Sequence, residues 1–221
     1  MSTIAALLLP FALLQGNAAA VEATRFEQCL ATVEADAERG YEEGMAWAAE
    51  GQSLNAYRCA AMALIKQERY LEGARRLESL ARGISTANAG LQAELFSQAG
   101  NAWLLAREPG NARAAFTQGV AAVESDPTQL PDLLIDRARA YAMEEDWRRA
   151  EEDLSRALDI RADDPLALRL RASARMHQRT FQLAEADALA ATRLEPANVD
   201  NFLVLGHVRE SIRTGAPVDE Q

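Results

Sequence analysis

Displaced by 34 residues, the carboxyl half of the sequence lies over itself. Pro131 falls on Pro165, Leu134 on Leu168, Arg137 on Arg171 and Ala138 on Ala172. The same step brings Trp147 onto Phe181, Ala150 onto Ala184, Asp153 onto Asp187 and Ala157 onto Ala191. A second step carries Leu168 and Ala172 to Phe202 and Gly206. Self-similarity at a fixed period of this length marks a supersecondary unit that buries its apolar face only by stacking on copies of itself. Inside the unit, apolar and small residues recur at three- and four-residue intervals, as in Leu134, Ala138 and Tyr141. No segment alternates with period two for long enough to make a strand. The unit is a pair of helices.

Composition agrees. The 221 residues are 49% hydrophobic but only 6% aromatic, and alanine is dense in stretches such as Ala60, Ala61 and Ala63. Alanine loses no side-chain entropy in a helix and lets two helices approach closely. Breaks at Gly40, Glu50-Gly51, Gly83, Pro109-Gly110, 127–131, 163–165 and Pro196 predict helices near 22–38, 41–50, 54–67, 70–82, 88–107, 111–125, 131–143, 147–160, 165–178, 181–194 and 199–213. Pro131 and Pro165 suit a first helical turn, where the missing N–H has no partner to lose. A net charge of −10 excludes the basic footprint of a nucleic-acid binder.

Thirty-four residues, with one small residue midway along the first helix and another in the second, resemble the tetratricopeptide repeat (TPR). The family's W-x2-L-G-x2-Y start is echoed in Phe202-x2-Leu205-Gly206, with Arg209 in the last aromatic's place; Ala184, Ala188, Ala191 and Pro196 match its later positions. The resemblance implies an all-α solenoid of helix-turn-helix repeats forming a right-handed superhelix. It divides 21–221, read as one domain, into degenerate helices at 21–53, a repeat at 54–87, a degenerate repeat at 88–130, repeats at 131–164 and 165–198, a capping helix at 199–213 and a flexible tail at 214–221. One extra residue precedes Pro131. The cap is expected to show Asp200, Arg209, Glu210 and Arg213 to solvent.

Residues 1–20 stand apart. They carry no Asp, Glu, Lys or Arg, and an apolar run from Ile4 to Leu14 leads to Ala18-Ala19-Ala20. About eleven apolar residues are too few to span a bilayer but suit a signal peptide, with Ala18 and Ala20 forming a small-x-small cleavage site. The expectation is export to the periplasm or beyond, a mature chain from Val21 and no membrane span after cleavage. The alternative is a retained helix covering the first repeat. In an exported chain, two cysteines pair. Cys29 and Cys59 lie on first helices of neighbouring units, close enough to bridge if their facing registers match. The alternative is two buried thiols.

Motifs for catalysis or cofactor binding are missing: there is no G-x-S-x-G, H-E-x-x-H, C-x-x-C, P-loop or G-x-G-x-x-G. His177 and His207 lack further ligands at metal-binding spacing. No enzyme, cofactor or metal is expected. The resemblance implies a protein- or peptide-binding scaffold whose first helices line a concave groove. On this register the groove holds Asn55, Arg58, Met62 and Lys66, then Arg107, then Arg139 and Met143, then Arg169, Ser173 and His177, and finally His207. Its cations would attract an acidic segment or a carboxyl terminus. The lysines and asparagines of the family's carboxylate-clamp members are not reproduced at these positions. Two other readings stay open: an assembly subunit of an envelope complex, and a cytosolic regulatory scaffold if the leader is retained.

Overall fold

A computed structural model of the chain describes residues 9–51 and 53–218. They form eleven α-helices: α1 (Leu9–Ala35), α2 (Ala37–Gly51), α3 (Leu54–Lys66), α4 (Tyr70–Gly83), α5 (Ala89–Leu105), α6 (Pro109–Ala122), α7 (Leu130–Met143), α8 (Trp147–Ile160), α9 (Pro165–His177), α10 (Phe181–Leu194) and α11 (Val199–Thr214). There is no strand among the described residues. The apolar leader lies partly outside the described residues, and its end, from Leu9, belongs to α1. No helix among the described residues is long and apolar enough to cross a membrane.

Local chemistry sets the ends. Asp146 accepts from Arg149 N at 3.2 Å, Asp164 from Ala167 N at 3.0 Å and Ser53 from Ala56 N at 3.4 Å, so each satisfies an amide that its helix leaves open. Pro109, expected as a break, instead begins α6 and fixes the backbone of its first turn. Asp36 caps the amides of Glu38 and Arg39 at 3.1 Å each, which starts α2 earlier than the sequence suggests. Gly40 is therefore no break. A Cβ there would lie 2.5 Å from a Val33 methyl, so the missing side chain lets α1 and α2 touch.

The four turns from α3 to α4, α5 to α6, α7 to α8 and α9 to α10 share one geometry. Glu68, Arg107, Glu145 and Arg179 all have φ near +60°. In each turn the amide of that residue and the next bond back to the preceding helix, as Glu145 N does to Ala142 O and Asp146 N to Tyr141 O. An L-residue in this left-handed conformation is strained, and glycine is not. Glu145→Gly and Arg179→Gly are each expected to stabilise the chain by about 0.5–1 kcal/mol, read as a rise in the melting midpoint. These residues also give the true register. Arg107 precedes Glu145 by 38 residues, whereas Glu145 precedes Arg179 by 34.

The helices pack as two compact units, Met1–Leu80 and Ala81–Gln221. In the first, α3 packs against both α1 and α2. Its core holds Cys29, Val33, Trp47, Ala48, Ala56, Cys59 and Ala63. Cys29 and Cys59 form a disulfide with their Cα atoms 6.2 Å apart. In the second unit α5/α6, α7/α8 and α9/α10 pack as successive pairs, and α11 rests on α9 and α10.

Each pair of the second unit solves close packing with different residues at one register. Seven positions before the turn stand Gly100, Ala138 and Ala172, all buried. A Cβ on Gly100 would lie 2.4 Å from the Phe116 ring, so that glycine is the socket for a phenyl group from the second helix. In the next two pairs, buried ion pairs cross one position earlier. Arg137 donates from Nε and Nη2 to the two carboxylate oxygens of Asp153, both at 2.7 Å. Thirty-four residues on, Arg171 does the same to Asp187 at 2.8 and 2.9 Å. Such bidentate pairs hold geometry as well as charge. The bond to Asp153 raises the Arg137 pKa above its ordinary value against the opposing effect of burial. In α5/α6 the same two positions hold Ala99 and Ala115.

Candidate functional site

In the second unit the first helices lie side by side, α5 next to α7 and α7 next to α9, with α11 against α9. Their shared inner face is the surface that the repeat pattern assigns to a ligand. Of the residues that the sequence register names, Arg139, Met143 and Ser173 border one cavity, Arg169 meets Asp200 of α11, and His177 stacks on Trp147 of α8. Arg107 does not lie on a first helix, because it is the left-handed residue of the α5–α6 turn. The 38-residue spacing shifts α5 relative to the sequence alignment and brings Glu94, Ser97, Asn101 and Leu105 to the positions that Asp132, Ile135, Arg139 and Met143 hold on α7.

A polar network crosses from α5 to α7. Asp136 accepts from Asn101 Nδ2 at 3.0 Å and from Ser97 Oγ at 3.4 Å. Arg139 Nη1 donates to Asp136 at 3.1 Å and to Asn101 Oδ1 at 3.3 Å. Arg169 Nη1 lies 3.3 Å from Asp200 and donates to the side chains of Asn198 and Asn201. The groove is therefore not of one sign. Each of these arginines has an acidic partner, Asp136 one turn back and Asp200 on the next helix. Both use Nη1 alone, so each guanidinium keeps donors for a ligand.

Between α7, α8 and α9 lies a cavity of about 220 Å³. Arg139, Met143 and Ser173 border it beside Trp147, Leu154 and Leu170. Trp147 is the first residue of α8, and its ring stacks on His177 at 4.0 Å with 8° between the planes. The stack places a flat aromatic wall beside Met143, which is 41% exposed. At this volume the cavity suits a side chain rather than a small-molecule cofactor, whose pockets run to roughly 300–1,000 Å³. A wider trough of about 610 Å³ lies between α5 and α7, bordered by Glu94, Ser97, Gln98, Gln129 and Asp132. The inner face is thus acidic and polar at one end, basic and apolar at the other.

The first unit holds Asn55, Arg58, Met62 and Lys66 on α3. Arg58 is buried, its guanidinium carbon 4.8 Å from the centre of the Phe26 ring. Lys66 Nζ lies 2.6 Å from Glu34. Both tie α3 to α1. Asn55 and Met62 are partly exposed beside them.

No family model matches the sequence, and no curated protein does. Solved structures match the fold. The first TPR domain of Spaghetti (RPAP3), bound to the HSP90 peptide SRMEEVD, is 25% identical with a TM-score of 0.51, over 55% of this chain and 93% of that one. The second TPR domain of human RPAP3, in complex with the HSP70 peptide SGPTIEEVD, is 24% identical at 0.51, over 55% and 98%. YrrB, described as a TPR protein with an unusual peptide-binding site, is 17% identical at 0.59, over 78% and 85%. Paired helices, a small residue recurring seven positions before each turn and these matches lead to one conclusion. The chain has the TPR-like fold, successive pairs of antiparallel helices, that these domains share.

Proposed function

We propose that the chain is a non-catalytic scaffold that holds an extended peptide segment of a partner protein along the inner face of α7 and α9. The observation that carries this reading is the cavity bordered by Arg139, Met143, Ser173 and Trp147. An apolar side chain of the peptide enters it, and a carboxylate one or two residues away takes the remaining donors of Arg139. Arg169 offers a second such point one helix on. The peptides held by the two RPAP3 domains, SRMEEVD and SGPTIEEVD, combine acidic and apolar residues in this way and support the assignment. An arginine whose charge is half-shared with Asp136 favours a bidentate carboxylate over diffuse acidity.

Reversing both arginines, Arg139→Glu with Arg169→Glu, is expected to weaken partner capture at least tenfold. Arg139 is 46% exposed and Arg169 18%, so capture is compared only for variants whose helical circular dichroism and melting midpoint match the parent. Capture untouched by the double reversal would move the site off the inner face.

The scaffold acts in an oxidising compartment, the cell envelope. The leader with its Ala18-x-Ala20 site supports this, as does the Cys29–Cys59 bridge, because disulfides persist outside the reducing cytosol. Cleavage after Ala20 leaves Phe26, Cys29 and Val33 on α1. Amino-terminal sequencing of the protein from its host is expected to read Val21 first; Met1 or Ser2 on the bulk of the protein refutes export.

A further inference from the structure

The first helices α5, α7 and α9 end alike: Leu105, Met143 and His177 are their last residues, and two positions on come Arg107, Glu145 and Arg179, the left-handed residues of the turns. Leu105 is 53% exposed and Met143 41%. His177 lies against the ring of Trp147. Leu105, Met143 and the Trp147–His177 stack thus form an apolar rail, one step per repeat, along the rim where first helices turn into second ones. Beside it stand three exposed charges of alternating sign, Arg107, Glu145 and Arg179. Their side chains make no hydrogen bond or ion pair among the described residues. The neighbouring acids, by contrast, are engaged, Glu108 by Asn111 at 3.3 Å and Glu144 by Arg113 at 2.7 Å. All three charges sit where glycine would relax the backbone, so the chain keeps a long charged side chain at each against a conformational cost. Nothing among the described residues uses what that cost retains.

We propose that this rim reads the partner peptide as a polyproline II segment crossing the first helices at three residues per helix. An apolar residue rests on each step of the rail, and beside it acidic, basic and acidic residues face Arg107, Glu145 and Arg179 in turn. The inference rests on the reading of α7 and α9 as a peptide groove and adds the ligand's conformation and charge order. Period decides the conformation. Packed helices lie about 8–10 Å apart. A polyproline II helix advances about 3.1 Å per residue and returns to the same face every third, after about 9.3 Å. A β-strand returns every second residue, after about 6.6 Å, and falls out of step by the next helix. Three faces also suit the site. One enters the cavity between Met143 and Trp147, the next lies on the rim, and the third turns inward toward Arg139. Sign decides the order. A uniformly acidic segment is repelled at Glu145 and a uniformly basic one at Arg107 and Arg179, whereas alternation complements all three.

The test is titration of the purified full chain with two synthetic peptides, LDPLKELDP and LKPLEELKP. They share their leucines, prolines and inward glutamate and differ in the order of the rim charges. The first is expected to bind at least tenfold more tightly, because an exposed ion pair changes affinity by about 1.5- to fivefold and three contacts turn from attraction to repulsion. The triple variant Arg107→Glu, Glu145→Arg and Arg179→Glu is expected to invert the preference. Its replaced side chains bond to no described residue, so helicity and melting midpoint stay as in the parent. The spaced peptide LDPSLKESLDP, with the same order at four residues per helix, is expected to bind at least tenfold more weakly than LDPLKELDP. Equal binding of the first two peptides, a preference that survives the triple reversal, or undiminished binding of the spaced peptide would each overturn the proposal. So would binding by none of the three. The groove reading beneath it fails on a different result, peptides that bind and are unmoved by Arg139→Glu.

Discussion

Asp187→Ala is expected to destabilise the second unit by about 3–5 kcal/mol, the range for removing one partner of a buried ion pair. The carboxylate takes three donors: Arg171 Nε at 2.8 Å, Arg171 Nη2 at 2.9 Å and Arg175 Nη1 at 2.7 Å. All three side chains are more than four-fifths buried. Without the acid, Arg175 keeps Glu151 at 2.7 Å and Arg171 keeps the Ser155 hydroxyl at 3.2 Å. That is too little for two guanidinium groups withdrawn from water. The double variant Arg171→Ala with Asp187→Ala is expected to recover at least half of the loss. The fold already accepts that solution, since Ala99 and Ala115 stand at the same two positions in α5/α6, both fully buried. Denaturant unfolding of the single and double variants reads the difference. A single variant within 1 kcal/mol of the parent would show that the pair is ornamental (about one-third or less of the expected loss).

Reducing the disulfide, or replacing Cys59 by Ser, is the second large effect. The bridge closes a loop of sequence separation 30 between α1 and α3. In the chain-entropy account such a loop is worth roughly 3.5 kcal/mol. Cys59 is fully buried, so the hydroxyl of the serine variant adds the penalty of an unpaired polar group. Repeat proteins couple mainly between neighbours, so the loss is expected to be local. Amide exchange in α1–α3 should accelerate by two to three orders of magnitude, converted at ~1.4 kcal/mol per tenfold, while α7–α10 exchange as before. Equal acceleration throughout would contradict a local clamp.

Much of this was legible in the sequence, and the exceptions have physical causes. The 34-residue spacing of α7–α10 could be read directly because the loop and turn lengths of those two pairs match. Upstream it failed by a definite amount. The link between α6 and α7 runs through 123–129, whereas that between α8 and α9 is only 161–164. The sequence pattern allows one extra residue before Pro131 where the turns require four, so α5 is displaced on it. The sequence register puts Arg107 on the inner face and passes over Ser97 and Asn101. The turn residues Glu68, Arg107, Glu145 and Arg179 gave no glycine signal, because their strain is offset by the two backbone bonds that close each turn. Asp136 carries no signal in the sequence because its role depends on a neighbour 35 residues away, Asn101. Trp147 enters the sequence pattern only as the counterpart of Phe181, because its stacking on His177 joins residues of two different repeats. The pairing of Arg137 with Asp153 was implicit in their joint shift by 34, and only the fold shows that the two side chains meet.

The central claim is that the inner face of α7 and α9 holds a peptide. Peptides selected from a random library on the purified chain, titrated against it with amide-shift mapping, test this most directly. The account predicts that selected peptides pair an apolar side chain with a nearby carboxylate. It predicts the largest shifts at Arg139, Met143, Trp147 and Ser173, and binding at least tenfold weaker to Arg139→Glu. Peptides that bind the reversed variant equally well, or shift the outer helices α8 and α10 alone, would contradict it.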